Sequence, residues 1–292
     1  MTNKPIKNKT IAAKANQEER KTESVKQDVI AAAQPFLPSI ADHQEFAEYA
    51  DAGFQNVTAS DLLIPRLTIL QALSPQLSRS EPEYIKEAHS GDICDVAMSE
   101  LYSDILFLPV YYRKDYMEWA PRSEGRKFPV AIYHDDSIYK ECRKDEKNLF
   151  WHGKNKIEET AQFFGFNVSA QMRKCFIPLK GTQFKKAKRW LNLATGEKLK
   201  RADGSFFTPP MFYRTYKLSV AEEKNNEGNW FGWVVERGLT LPELTADEIG
   251  LAWRELKAAA IEFQANLIKG EYRVDLADEP AEEATPREQQ AM

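Results

Sequence analysis

Apolar positions in the middle of the chain fall into short runs rather than long helical periods. Residues 66–72 (RLTILQA) and 105–112 (ILFLPVYY) are rich in branched and aromatic side chains, the signature of strands. Pro109 has no N–H to give to a ladder, so the second strand is predicted to lie at an edge or to carry a bulge. Further strands are predicted over 128–133, 175–179, 211–220 and 230–236. The last two flank 222–229, where Asn-Asn-Glu-Gly-Asn reads as a hairpin turn. Many short strands separated by turn signals point to a barrel or sandwich, not to βαβ units.

Two stretches switch to helical spacing. From Thr245 to about Lys269, the residues Ile249, Ala252, Trp253, Leu256, Ala260, Phe263 and Leu267 share a stripe. Thr245 and Glu248 form a capping-box pattern at its start, and Gly270 stops it. The second helix is predicted over 183–194, with Thr182 as its N-cap. At about 100° per residue, Phe184, Ala187, Leu191 and Ala194 form its apolar face. Lys185, Lys186, Lys188 and Arg189 fill the opposite arc, with Trp190 on the border beside Lys186. The fold class expected is therefore β-rich α+β, with a basic amphipathic helix and a long C-terminal helix.

The ends read differently. Residues 1–41 are Lys/Gln/Ala-rich and end in a Pro-broken stretch. They are predicted to form a mobile basic arm, with a nascent helix around 17–33. Residues 273–292 offer almost nothing large to bury and are predicted to be a disordered acidic tail. The folded body is then 42–272, a size suited to one elaborated domain.

Charge sharpens this picture. The 292 residues carry a formal net charge of -4, but unevenly. Residues 1–26 are net +4, 171–217 are net +10, and 275–292 are net -5, which leaves -13 for the remainder. One strongly basic segment in a mildly acidic chain, with a separate acidic tail, points to a polyanionic partner. The tail is expected to compete for the basic segment or to recruit a basic partner, with a plain solubilising role as the competing reading.

Signals for catalysis are scarce. There is no phosphate-binding Gly-rich loop, no H-E-x-x-H and no G-x-S-x-G elbow. The four histidines (His43, His89, His134, His152) lack ligand spacing, and the three cysteines are odd in number and far apart. No enzyme activity, metal or other cofactor is expected, although a metal-dependent nuclease or recombinase can hide its ligands among scattered acids. No run approaches the roughly 18 apolar residues of a membrane helix, so a cytoplasmic location without membrane contact is expected.

Basic residues interleaved with aromatics supply the positive signal. Residues 111–126 (YYRKDYMEWAPRSEGR) bring Tyr112, Arg113, Tyr116, Trp119 and Arg122 together. In 206–217 (FFTPPMFYRTYK), period-two alternation puts Phe212, Arg214 and Tyr216 on one strand face and Tyr213 on the other. Cations that track phosphates and rings that stack on unpaired bases are what sequence-tolerant single-strand binding requires. The candidate nucleic-acid contacts are these residues together with Lys180, Lys185, Lys186, Lys188, Arg189 and Trp190. Ordinary core packing of the rings and a solvated cationic face are the competing reading.

Several segments, in matching order, carry a resemblance: 53–76 (GFQNVTASDLLIPRLTILQALSPQ), Gly91-Asp92-Ile93, 118–122 (EWAPR), 179–190 (LKGTQFKKAKRW) and 229–233 (NWFGW). Over about 53–270 the chain resembles bacteriophage replication-module proteins regarded as single-stranded-DNA-binding proteins. The resemblance implies an OB-like β-barrel core and a non-enzymatic role in coating single strands during phage replication or recombination. It also places Lys180, Lys185, Lys186, Lys188, Arg189 and Trp190 in the family's most recognisable segment. The partners it implies are single-stranded DNA and phage replication or recombination proteins reached through the tail, in the host cytoplasm, with self-association open. A phage structural or assembly role is the remaining alternative.

Overall fold

Long strands of this chain are hydrophobic on both faces, and the fold explains why. A computed structural model describes Tyr49 and residues 52–126, 128–225, 228–244 and 253–274. The arm, the tail from residue 275 onward and the first turns of the predicted C-terminal helix lie outside the described residues, whereas Arg273 and Val274, at the predicted start of the tail, form a short strand paired with Leu63 and Ile64. Contacts divide the chain into Met1–Asn56 and Val57–Met292. In the first unit, Ala52 N–H donates to the Tyr49 carbonyl at 3.0 Å, and the second unit holds the described strands and helices.

Among the described residues four short strands come first: β1 (Leu63–Ile64), β2 (Leu67–Ile69), β3 (Ile93–Asp95) and β4 (Glu100–Tyr102). Next come β5 (Ile105–Trp119), β6 (Ala131–Tyr133), β7 (Arg143–Lys144), β8 (Phe150–His152), β9 (Asn155–Asn167) and β10 (Arg173–Lys180). Helix α1 (Phe184–Thr195) leads to the small hairpin β11 (Leu199–Lys200) and β12 (Phe206–Phe207). Strands β13 (Arg214–Lys224) and β14 (Asn229–Thr240), helix α2 (Trp253–Lys269) and β15 (Arg273–Val274) complete the order.

Eight of these strands form one curled antiparallel half-barrel. Its path is β14-β13-β5-β9-β8-β7, with β10 beside β9 and β6 beside β5. The two longest strands, β5 and β9, pair from Phe107↔Asn167 to Trp119↔Lys156. A register shift between Pro109 and Tyr111 places the bulge anticipated at the proline, in a central strand rather than an edge. Gly165 sits opposite, where a Cβ would lie 2.2 Å from the Leu108 carbonyl oxygen. The bulge lets the strand bend, and the glycine lets its partner follow.

Each face of the sheet has its own core. On one face Phe107, Phe163, Ile177, Leu179, Tyr216, Leu218 and Trp233 pack against Ala187 and Trp190 of α1, and β2 and β3 add Leu67, Ile69 and Ile93. On the other, Leu108, Val110, Phe164, Phe166 and Phe176 pack beneath Leu256, Ala260, Phe263 and Leu267 of α2. Strands covered on both sides lose the clean inside–outside alternation, as in RKCFIPLK of β10.

Residues 65–71 link two edge strands of the half-barrel, β10 and β14. The Pro65 carbonyl accepts from Phe176 N–H on β10 at 3.0 Å. At the other edge, the Gln71 side-chain amide donates to the Phe231 carbonyl of β14 and accepts from its N–H, both at 2.9 Å. A side chain thus stands in for a missing stretch of ladder.

Candidate nucleic-acid interface

The basic segment is built as a helix followed by a hairpin. Strand β10 ends at Lys180, and Gly181, with a positive φ of 53°, turns the chain into a single 3-10 turn, Gly181–Gln183, before α1 starts. Thr182 therefore does not cap α1, and Gln183 instead takes the Trp233 N–H on its side-chain oxygen at 3.1 Å. The helix itself falls within one residue of its predicted span.

Its polar arc divides. Lys185, Lys188 and Arg189 are exposed, whereas Lys186 turns aside to pair with Glu223 of β13. Trp190 does not border this arc. It is 1 % exposed, stacks on Phe163 at 4.0 Å and meets Phe107 and Tyr216 edge-on. A helix lying on a sheet needs a broad apolar stripe, and the largest side chain at its margin is drawn under it.

Just beyond α1, Lys198, Lys200 and Arg201 are exposed on and beside β11. Glu197, the acid between them and α1, is held by Arg214 of β13 through two hydrogen bonds of 2.7 and 2.8 Å. That contact keeps the Glu197 carboxyl below its ordinary range. Asp203 is likewise engaged, accepting from the N–H and hydroxyl of Ser205. Among the described residues, none of Lys185, Lys188, Arg189, Lys198, Lys200 and Arg201 has a carboxylate within ion-pair distance. Six cations within seventeen residues thus face solvent unopposed.

The remaining sequence candidates go elsewhere. Tyr116, Phe212 and Tyr216 are buried, so with Trp190 they are core residues and not stacking platforms. Their short segments look alike from the sequence because burial is decided by what docks from far along the chain. Phe212 and Tyr213 fall in a 3-10 turn, and β13 starts only at Arg214, with a register shift before Tyr216. The alternation predicted for 211–217 is broken there. Arg214 is spent on Glu197 and on the Gly238 carbonyl.

Tyr112 is half-buried against Phe163, and Arg113 braces the buried Asp115 at 2.8 Å. Lys180, the last residue of β10, lies 4.9 Å over the half-buried Trp119 ring and 3.9 Å from Glu158. Arg122 lies in a 3-10 turn, with its side chain outside the described set. Two histidines that looked isolated have partners: His134 meets Asp115 at 2.8 Å and His152 meets Glu118 at 3.2 Å.

Sequence reasoning passed over Lys198, Lys200, Arg201 and the outward ring of Phe206. Two-residue strands have no detectable period, but the Asp203-Gly204 pair between them was a turn signal.

A family model described as "Pam3 phage gp34-like protein" matches residues 31–249, a stretch that contains β1 to β14 and α1. No curated protein and no solved structure matches the chain. Among the described residues no helix is long and apolar enough to cross a membrane.

Proposed function

The chain belongs to the Pam3 phage gp34-like protein family, and from that premise we propose that it is a non-enzymatic single-stranded-DNA-binding protein of phage replication or recombination. The observation that carries this reading is the run of six unopposed cations from Lys185 to Arg201 on α1 and the β11–β12 hairpin. An unneutralised cationic strip on a mildly acidic protein favours a polyanion through counterion release.

The half-barrel is read as OB-like. In chain order its five longest elements are β5, β9, β10, β13 and β14, arranged β10-β9-β5-β13-β14, with α1 between the third and fourth. An OB fold is a five-stranded, partly open Greek-key barrel that uses the face of its second and third strands for oligonucleotides. Here α2 covers one face of β9 and β10, through Phe263 over Phe166 at 5.3 Å, and α1 covers the other. The proposed path of the DNA therefore runs over the insertion after β10 rather than across the sheet.

The test uses the full chain and a fluorescein-labelled thirty-nucleotide thymidine strand, with a duplex of equal length beside it. Wild type is expected to favour the single strand and to leave both uncleaved in magnesium. Replacing Lys185, Lys188 and Arg189 by Glu is expected to weaken binding by more than about tenfold at low salt, with the melting temperature little changed because all three are exposed and none has a carboxylate partner among the described residues. Equal affinity of this variant and wild type overturns the assignment. Magnesium-dependent cleavage revives the nuclease alternative.

A further inference from the structure

Phe206 is 67 % exposed, an unusual place for a phenylalanine, and it stands on a hairpin that also exposes Lys200 and Arg201. The hairpin is stiffly built. Lys200 pairs with Phe206 and Leu199 with Phe207. Arg201 N–H donates to the Ser205 carbonyl at 2.8 Å, and Gly204 N–H donates back to Arg201 at 3.0 Å. Asp203 Oδ1 takes both the N–H and the hydroxyl of Ser205, and Gly204 supplies the positive φ of 88° that the turn requires.

Its two rings point to opposite faces. Phe207 is half-buried, with the Arg201 guanidinium 4.6 Å from its centroid, so that ring is already occupied. On the other face Phe206 stands beside Lys200, its cross-strand neighbour. An open aromatic ring next to an unpaired ammonium matches one nucleotide, a flat base linked to a phosphate.

Resting on the single-strand reading above, we infer that the β11–β12 hairpin is the base-stacking element of this protein, with Phe206 stacking on an unpaired base and Lys200 contacting an adjacent phosphate. Tyr116, Trp190, Phe212 and Tyr216 are core, whereas this ring is open and beside Lys200. A single exposed ring beside a lysine is a poor fit to a protein hot spot, which needs a desolvated apolar centre. Because stacking uses the face common to all bases, the element is indifferent to sequence.

The experiment compares a thymidine strand with an abasic strand of the same length and charge, using full-length wild type, Phe206→Ala, Phe206→Trp and Lys200→Ala. Wild type is expected to prefer the thymidine strand. Phe206→Ala is expected to lose about tenfold on that strand and nothing on the abasic one, while Phe206→Trp restores the preference. Lys200→Ala should weaken both strands alike. All variants are expected to melt with wild type, since neither side chain is buried. If wild type prefers thymidine and Phe206→Ala keeps that preference, the hairpin assignment falls while the single-strand reading stands. If wild type binds neither strand, both fall.

Discussion

Trp190 shares its ring contacts with Phe107, Phe163 and Tyr216 at the centre of one core. Truncating it removes a fully buried indole and leaves a cavity that the sheet cannot close. Trp190→Ala is expected to lose about 3–5 kcal/mol of stability, read as a lower urea midpoint, with DNA affinity changing only as folding does. A second residue-scale prediction concerns acid. Arg214 lowers the Glu197 pKa from its ordinary 4.5. A depressed carboxylate stabilises the fold above its unfolded pKa and loses that contribution as pH falls through the folded value. From pH 4.5 downward, wild type should therefore lose stability more steeply than Glu197→Gln, as followed by urea midpoints. At this scale the sequence was least legible. Lys185, Lys188 and Arg189 could be placed from helical angle alone, whereas Tyr116, Tyr216 and Trp190 required the partners that bury them.

At the scale of elements, α1 was readable to within a residue because its amphipathic period is complete within twelve positions. The bulge at Pro109 was readable from the missing N–H, but its central position depended on β13 arriving from a hundred residues downstream. Gly165 is the counterpart of that bulge. Gly165→Ala pushes a methyl against the Leu108 carbonyl, and the expected loss is about 1–3 kcal/mol or more, measured by denaturant unfolding. The β11–β12 hairpin escaped notice because its strands are too short to alternate, yet it carries three of the six unopposed cations. Half of the cationic strip was thus legible residue by residue, the rest only as the net charge of 171–217, and its aromatic part was not.

Across the whole molecule, charge separation is the dominant feature. Residues 171–217 carry net +10, but Arg173, Lys180, Lys186, Arg214 and Lys217 spend theirs on carboxylates within the fold. What remains available is concentrated on α1 and the hairpin. The acidic segment 275–292, at net -5, is covalently tethered to it, and a tethered competitor acts at an effective concentration on the order of millimolar. Deleting 275–292 is expected to tighten single-strand binding at low salt, with a gain that shrinks as salt screens both contacts. Equal affinities with and without the segment at every salt would remove it from the account. The central claim is tested most directly by the salt dependence of binding to the thymidine strand, compared between wild type and the Lys185/Lys188/Arg189→Glu variant. If all six cations meet phosphates, log K should fall against log salt with a slope of about -4, at roughly 0.7 per phosphate, and the variant should be flatter by at least about 2. A slope near zero, or one that the three substitutions leave unchanged, would contradict the account.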